Sequence, residues 1–141
     1  MHGGVIQNCK GKYGGVSLKN GSRFIMEGGT ISGCSASEGG GLYATNQSTI
    51  TISGGTISGC KGTMGGGLYA DNSTVTINNG TISECTAKSM GGGLYAENST
   101  ITISGGTIEK NEAAYSGGGL YAKDSSTITI SGGTIEKNRA M

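Results

Sequence analysis

The string Gly-Gly-Gly-Leu-Tyr-Ala begins at Gly39, Gly65, Gly91 and Gly117, so one motif returns every 26 residues. A weaker copy, Tyr13-Gly14-Gly15-Val16-Ser17-Leu18, lies 26 residues before the first. Thr-Ile-Thr-Ile type segments follow at 49–52, 74–77, 100–103 and 127–130. Gly-Gly-Thr-Ile starts at Gly28, Gly54, Gly105 and Gly132, with Asn79-Gly80-Thr81-Ile82 as its variant and Gly3-Gly4-Val5-Ile6 as one more copy. A period of this length means stacked units, each too small to bury an apolar face alone. The chain divides into a partial coil at 1–12 and five full coils at 13–38, 39–64, 65–90, 91–116 and 117–141.

Each unit holds three short β-like segments: Gly-Leu-Tyr-Ala, Thr-Ile-Thr-Ile-Ser and Thr-Ile-Ser/Glu. The middle one alternates β-branched residues with the period of a half-buried strand, and no segment has the period and length of a helix. Stacked on its copies, each segment becomes one strand of a long parallel sheet, and parallel crossovers are overwhelmingly right-handed. The expected fold is all-β: a right-handed three-sheet parallel β-helix with about 26 residues per coil, a rod of ~24 Å at ~4.8 Å per coil. Asn79 replaces the first Gly of the Gly-Gly pair, which predicts a left-handed corner there. In the Gly-Gly-Gly run only the first position is replaced, by Tyr13, so the second and third are expected to be where a Cβ does not fit.

Composition narrows the function classes. Glycine supplies 30 of 141 residues and proline none, hydrophobic residues make up 33%, and charged residues 13% with a net of +1. Gly-rich sequence without register would be a linker; here the register is kept throughout. Near-neutral charge leaves no basic footprint for nucleic acid or anionic lipid. No apolar run approaches the ~18 to 20 residues of a membrane span, so no membrane insertion is expected. The first ten residues carry no hydrophobic signal region.

The pattern Gly-Gly-Gly-Leu-Tyr-Ala, four or five residues, Ile-Thr-Ile-Ser-Gly-Gly-Thr-Ile, then Ser/Glu-x-Cys/Asn resembles the repeat of bacterial surface β-helix proteins. These are pectin-lyase-like adhesin repeats and the passenger domains of chlamydial polymorphic outer-membrane proteins. The resemblance covers essentially the whole chain. It implies an extracellular or cell-surface location and a structural, adhesin-like role, with a glycan or a host surface protein as partner.

Stacking in register turns each repeat position into a column. Four are assigned to the interior: Ile50, Val75, Ile101 and Ile128; Ile52, Ile77, Ile103 and Ile130; Ile31, Ile57, Ile82, Ile108 and Ile135; and Leu42, Leu68, Leu94 and Leu120. Cys9, Cys34, Cys60 and Cys85 share one position, which Asn111 and Asn138 occupy in the later coils. This resembles the internal Asn or Cys ladder of β-helices. Equivalent positions in parallel strands hold Cβ atoms about 4.8 Å apart, a little beyond disulfide range. Buried thiols are therefore the plainer reading. A CxxC spacing is missing, so no metal site is expected.

Two columns are candidates for binding. Tyr43, Tyr69, Tyr95 and Tyr121 follow the inward Leu, so alternation puts them outside, with Ala44, Ala70, Ala96 and Ala122 returning inward. An exposed Tyr strip would suit a sugar or peptide; alternatively, the rings shield the strand edge by stacking on one another. Thr49 and Thr51, Thr74 and Thr76, Thr100 and Thr102, and Thr127 and Thr129 form an outward Thr-x-Thr array, broken in the preceding coil by Arg23 and Ile25. It resembles the faces of solenoid ice-binding proteins, although Thr is also simply a good exposed strand residue.

Enzyme chemistry finds no support in the pattern. Asp71 and Glu97 share a column with Thr45 and Lys123, and Glu109 and Glu136 share another with Ser58. Lys110 and Lys137 make the latter a solvated ladder of mixed charge. The lone His, His2, lies near one end, and the Gly-Gly-Gly runs open strands rather than phosphate-cradling helices. No catalytic residue and no cofactor are expected. Both ends stop in repeat-like sequence, which predicts either a longer array or end-to-end self-association through open coil edges.

Overall fold

The computed structural model describes residues 1–141 as a stack of coils with strands and turns only. Every strand pairing is parallel, and the partners lie about one period apart: Leu68 pairs with Leu42 and Leu94, Val75 with Ile50 and Ile101. Three sheets run along the stack. The largest has nine strands and collects both Thr-Ile segments of each coil. In two coils they fuse into single ten-residue strands, Thr49–Ser58 and Thr74–Ser83. The second sheet has five strands: Val16–Leu18, Leu42–Ala44, Leu68–Asp71, Leu94–Glu97 and Leu120–Lys123.

The third sheet was not among the segments expected from sequence. Its six strands, Lys10–Tyr13, Ser35–Glu38, Lys61–Met64, Thr86–Met90, Glu112–Ala113 and Arg139–Ala140, follow the Cys/Asn position. The two segments expected to form separate sheets are one sheet, and this variable stretch supplies the third. Its signal is a column of small residues. Gly11 pairs with Ala36, Gly62 with Ala87, and Ala87 with Ala113, which in turn pairs with Ala140.

The aliphatic columns form one continuous core. Each buried Ile, Leu or Val contributes roughly 1.5–3 kcal/mol, so a chain with few hydrophobics still has an interior. Phe24 and Met26 continue the two Ile columns into the first coil by pairing with Ile50 and Ile52. The interior assignment fails in the last coil. Ile130 is 51% exposed and Ile135 39%, and Leu120 and Ile128 are half-buried, because each has a stacking neighbour on one side only.

The left-handed corner is also displaced from its expected place. Positive φ falls on the second Gly of the pair, as at Gly55 (85°) and Gly80 (99°), and not on Asn79. The second position stays Gly in all six copies, as that conformation favours. The Gly-Gly-Gly expectation holds for the second and third positions, but the first is restricted too: Gly39 and Gly65 have φ of 58° and 66°, and a Cβ there would collide with the carbonyls of Leu42 and Leu68. A Cβ on Gly41 would sit 2.6 Å from the Gly67 carbonyl oxygen and 2.8 Å from the Ile57 Cγ2.

Candidate functional site

The tyrosines point out of the main core but are not exposed. Tyr43 and Tyr69 are each 7% exposed and Tyr95 only 1%. Tyr43, Tyr69, Tyr95 and Tyr121 stack ring on ring at centroid spacings of 5.0–5.5 Å and interplanar angles of 7–16°. Met64 and Met90, at the ends of third-sheet strands, pack against them. The faces that a sugar would need are occupied by neighbouring rings. Tyr13 extends the stack, its ring 4.2 Å from that of Tyr43. Ser17 holds the Tyr position in that coil, so the ring comes from four residues earlier. That compensating pair was the sequence signal for a fifth member.

The Thr array keeps its geometry. Thr49, Thr74, Thr100 and Thr127 pair in one line and Thr51, Thr76, Thr102 and Thr129 in the next. All eight are half-buried or exposed. Arg23 and Ile25 pair onto Thr49 and Thr51 and end the grid.

The Cys/Asn column is an internal ladder. Cys34, Cys60 and Cys85 are fully buried, Cys9 is partly exposed, and all four thiols are free. The Asn111 carboxamide accepts the Cys85 N–H at 3.0 Å and donates to the Ile82 carbonyl at 3.0 Å. Asn138 repeats both contacts one coil on, toward the Asn111 N–H and the Ile108 carbonyl. The thiols face the same cross-coil carbonyls at longer range, Cys60 Sγ 3.8 Å from the Ile31 carbonyl oxygen and Cys85 Sγ 3.9 Å from that of Ile57, and lie closer to the Ser58 and Ser83 carbonyl oxygens, at 3.5 and 3.3 Å. A second ladder, unread in the sequence, lines another corner, where Ser99 and Ser126 Oγ accept the N–H groups of Ser73 and Ser99. Asn111→Ala leaves buried backbone groups unpaired and is expected to cost about 2–4 kcal/mol, whereas Asn111→Cys, which restores the thiol form, should cost about 1 kcal/mol. Urea denaturation of the two variants checks the ordering.

Charge stays on the surface. Lys123 pairs with Glu97 at 3.0 Å and Asp124 at 3.4 Å, and Arg139 with Glu112 at 3.6 Å. Lys110 and Lys137 sit beside Glu109 and Glu136, the mixed ladder expected from sequence. The Tyr95 hydroxyl donates to Glu97 Oε2 at 3.2 Å. Burial, with Glu97 nearby, pushes the Tyr95 phenol from 10.0 up to about 12. Burial likewise pushes the Cys34 thiol from 9.0 up to about 11. Both groups lose their protons earlier in the unfolded chain. Between pH 9 and 12 the folded state therefore binds more protons, and stability falls as pH rises. Their contribution is fully present below pH 9, so urea midpoints should be flat from pH 7 to 8.5 and decline steadily above 9. At pH 8, iodoacetamide should label Cys9 alone in the folded chain and all four thiols after denaturation.

A family model described as a right-handed β-helix region matches residues 2–141. No curated protein and no solved structure matches the chain. The family match spans nearly every residue and supplies the hand of the parallel stack whose register is laid out above. The chain belongs to the right-handed β-helix family.

Proposed function

We propose that this chain is a non-enzymatic, adhesin-like β-helix segment of a bacterial surface or secreted protein, a stiff stalk that presents a binding face. The observation carrying this reading is where the recurring residues go. Leu, Ile and Ala columns fill the interior, the Gly columns let the coils approach, Cys, Asn and Ser seal the corners, and Tyr packs on Tyr. Exposed positions also vary from coil to coil, as in the column Lys10, Lys61, Thr86 and Arg139, and there a partner would be recognised. A screen of the immobilised chain against glycans and host-matrix proteins tests the reading, with saturable binding expected. Absence of binding by folded protein, or release of unsaturated sugars from a polysaccharide substrate, would contradict it.

A second reading, an ice-binding face, is favoured by the in-register Thr grid. It predicts ice shaping that vanishes in Thr76→Lys, placed mid-grid. A carbohydrate-binding or degenerate lyase-like β-helix is the third reading. Its Tyr-strip form requires ring faces that the stack occupies.

End-to-end self-association is proposed with a condition. Seating Val5–Gln7 and Lys10–Tyr13 of a second copy on Thr134–Glu136 and Arg139–Ala140 would set Lys10 opposite Arg139. Like charges opposed across strands destabilise pairing and are screened by salt. Light scattering should therefore show more association at high salt than at low salt; association favoured by low salt would contradict this register.

A further inference from the structure

One corner changes length along the stack. Between the Ala and Thr columns lie four residues at 19–22, 45–48 and 123–126, but three at 71–73 and 97–99. The longer corner of the second coil turns through two successive left-handed residues, Asn46 (φ 54°) and Gln47 (φ 64°), whereas the shorter ones use Asn72 or Asn98 alone, each at φ 47°. Two short corners thus lie between longer ones, and the surface is recessed there. Over the two longer corners that precede them, a cavity of about 380 Å³ is lined by Asn20, Gly21, Asn46 and Gln47, with Asn72 at its edge. Over the short corners themselves, a second of about 250 Å³ shares Gln47 and Asn72 and adds Ser73, Thr74, Asn98 and Thr100. The shared pair joins them into one groove, and the first alone reaches the ~300–1,000 Å³ of small-ligand clefts.

The lining decides the ligand class. It has no hydrophobic residue and no charged one. An ion would find nothing to offset its desolvation there. An apolar ligand would find nothing to bury against. Carboxamides and hydroxyls each donate and accept hydrogen bonds, which matches a partner carrying many neutral hydroxyls. A peptide added as a strand would need free main-chain groups, but the corner's are used: the Gly21 N–H donates to the Asn46 carbonyl at 2.9 Å, Gln47 to Asn72 at 2.7 Å and Asn72 to Glu97 at 3.0 Å. The two short corners span ~10 Å, about the length of a disaccharide.

We propose that this groove binds a neutral oligosaccharide through the carboxamides of Asn46, Gln47, Asn72 and Asn98 and the hydroxyls of Thr74 and Thr100. The inference rests on the reading of the outer surface as a binding face, and it names both the place and the ligand class. The test is titration of ¹⁵N-labelled chain with cellohexaose and maltohexaose, following the side-chain amide resonances, with hexagalacturonate and a Ser/Asn-rich peptide run in parallel. Saturable shifts confined to the Asn46, Gln47, Asn72 and Asn98 amides by one neutral sugar are expected. Asn72→Gly with Asn98→Gly, which removes both amides and suits the left-handed backbone, should weaken that binding at least tenfold, and Thr63→Val, exposed on the third sheet and outside the groove, should leave it unchanged. Sugar binding that survives the double substitution would overturn the groove and leave the binding-face reading standing. A preference for hexagalacturonate or the peptide would overturn the ligand class. Silence toward both neutral sugars by folded protein would overturn the proposal, and adhesion persisting in the surface screen would show that the broader reading survives without it.

Discussion

Replacing Gly66 with alanine is expected to destabilise the stack by about 3 kcal/mol or more, the upper part of the overpacking range. Gly66 lies where backbone passes pack against one another. A Cβ there would sit 2.6 Å from the Thr86 carbonyl oxygen and 2.7 Å from its carbon, and against the Gly92 carbonyl as well. These are backbone atoms, Thr86 from the end of the same coil and Gly92 from the next, so no rotamer change relieves the collision. Displacing them would disturb the coil-to-coil bonds around Gly66, whose N–H donates to the Gly91 carbonyl at 3.0 Å. Gly3→Ala is the control, since its Cβ would meet nothing within 4 Å, and it should stay within about 0.5 kcal/mol of the parent. Equal urea midpoints for the two variants would rule out the close approach.

Tyr95→Ala should cost about 3–5 kcal/mol, the range for emptying a buried aromatic site. The ring lies between Tyr69 at 5.0 Å and Tyr121 at 5.5 Å and is 1% exposed. Tyr95→Phe keeps the stack and loses only the hydroxyl's bond to Glu97, so about 1 kcal/mol is expected. Tyr121→Ala, at the half-buried end of the column, should fall between. Thermal melts of the three variants read the order directly. If the tyrosines formed an exposed platform, Tyr95→Ala would instead be nearly neutral.

What the sequence disclosed and what it withheld separate along a physical line. Alternation and register are local and periodic, so the Ile and Leu columns, the Thr grid and the Cys/Asn ladder were legible before any coordinates. Alternation tells which side of a strand a residue takes, not what covers that side. Alternation therefore puts Tyr95 outside and leaves exposure and stacking on Tyr69 and Tyr121 as alternatives; the cover that Met64 and Met90 add to the Tyr stack has no signal in it. The third sheet escaped because its inward residues, such as Gly62, Ala87 and Ala113, carry no hydrophobic signal. Asn79 suggested positive φ at the first Gly of the pair because Asn tolerates that conformation, but tolerance does not establish it; the position that never varies, as at Gly55 and Gly80, was the better guide. The groove was out of reach for a different reason. A one-residue difference between corners is trivial in a string, and becomes a concavity only when Asn46, Asn72 and Asn98 are stacked.

Long-range amide contacts measured by NMR test the central claim, that the 26-residue repeat is a parallel stack in register. The structure predicts nuclear Overhauser effects linking successive coils, among them Val75 with Ile50 and Ile101, Tyr69 with Tyr43 and Tyr95, and Ala87 with Ala113. Contacts running antiparallel across neighbouring repeats, or none beyond sequence neighbours in a folded sample, would contradict it.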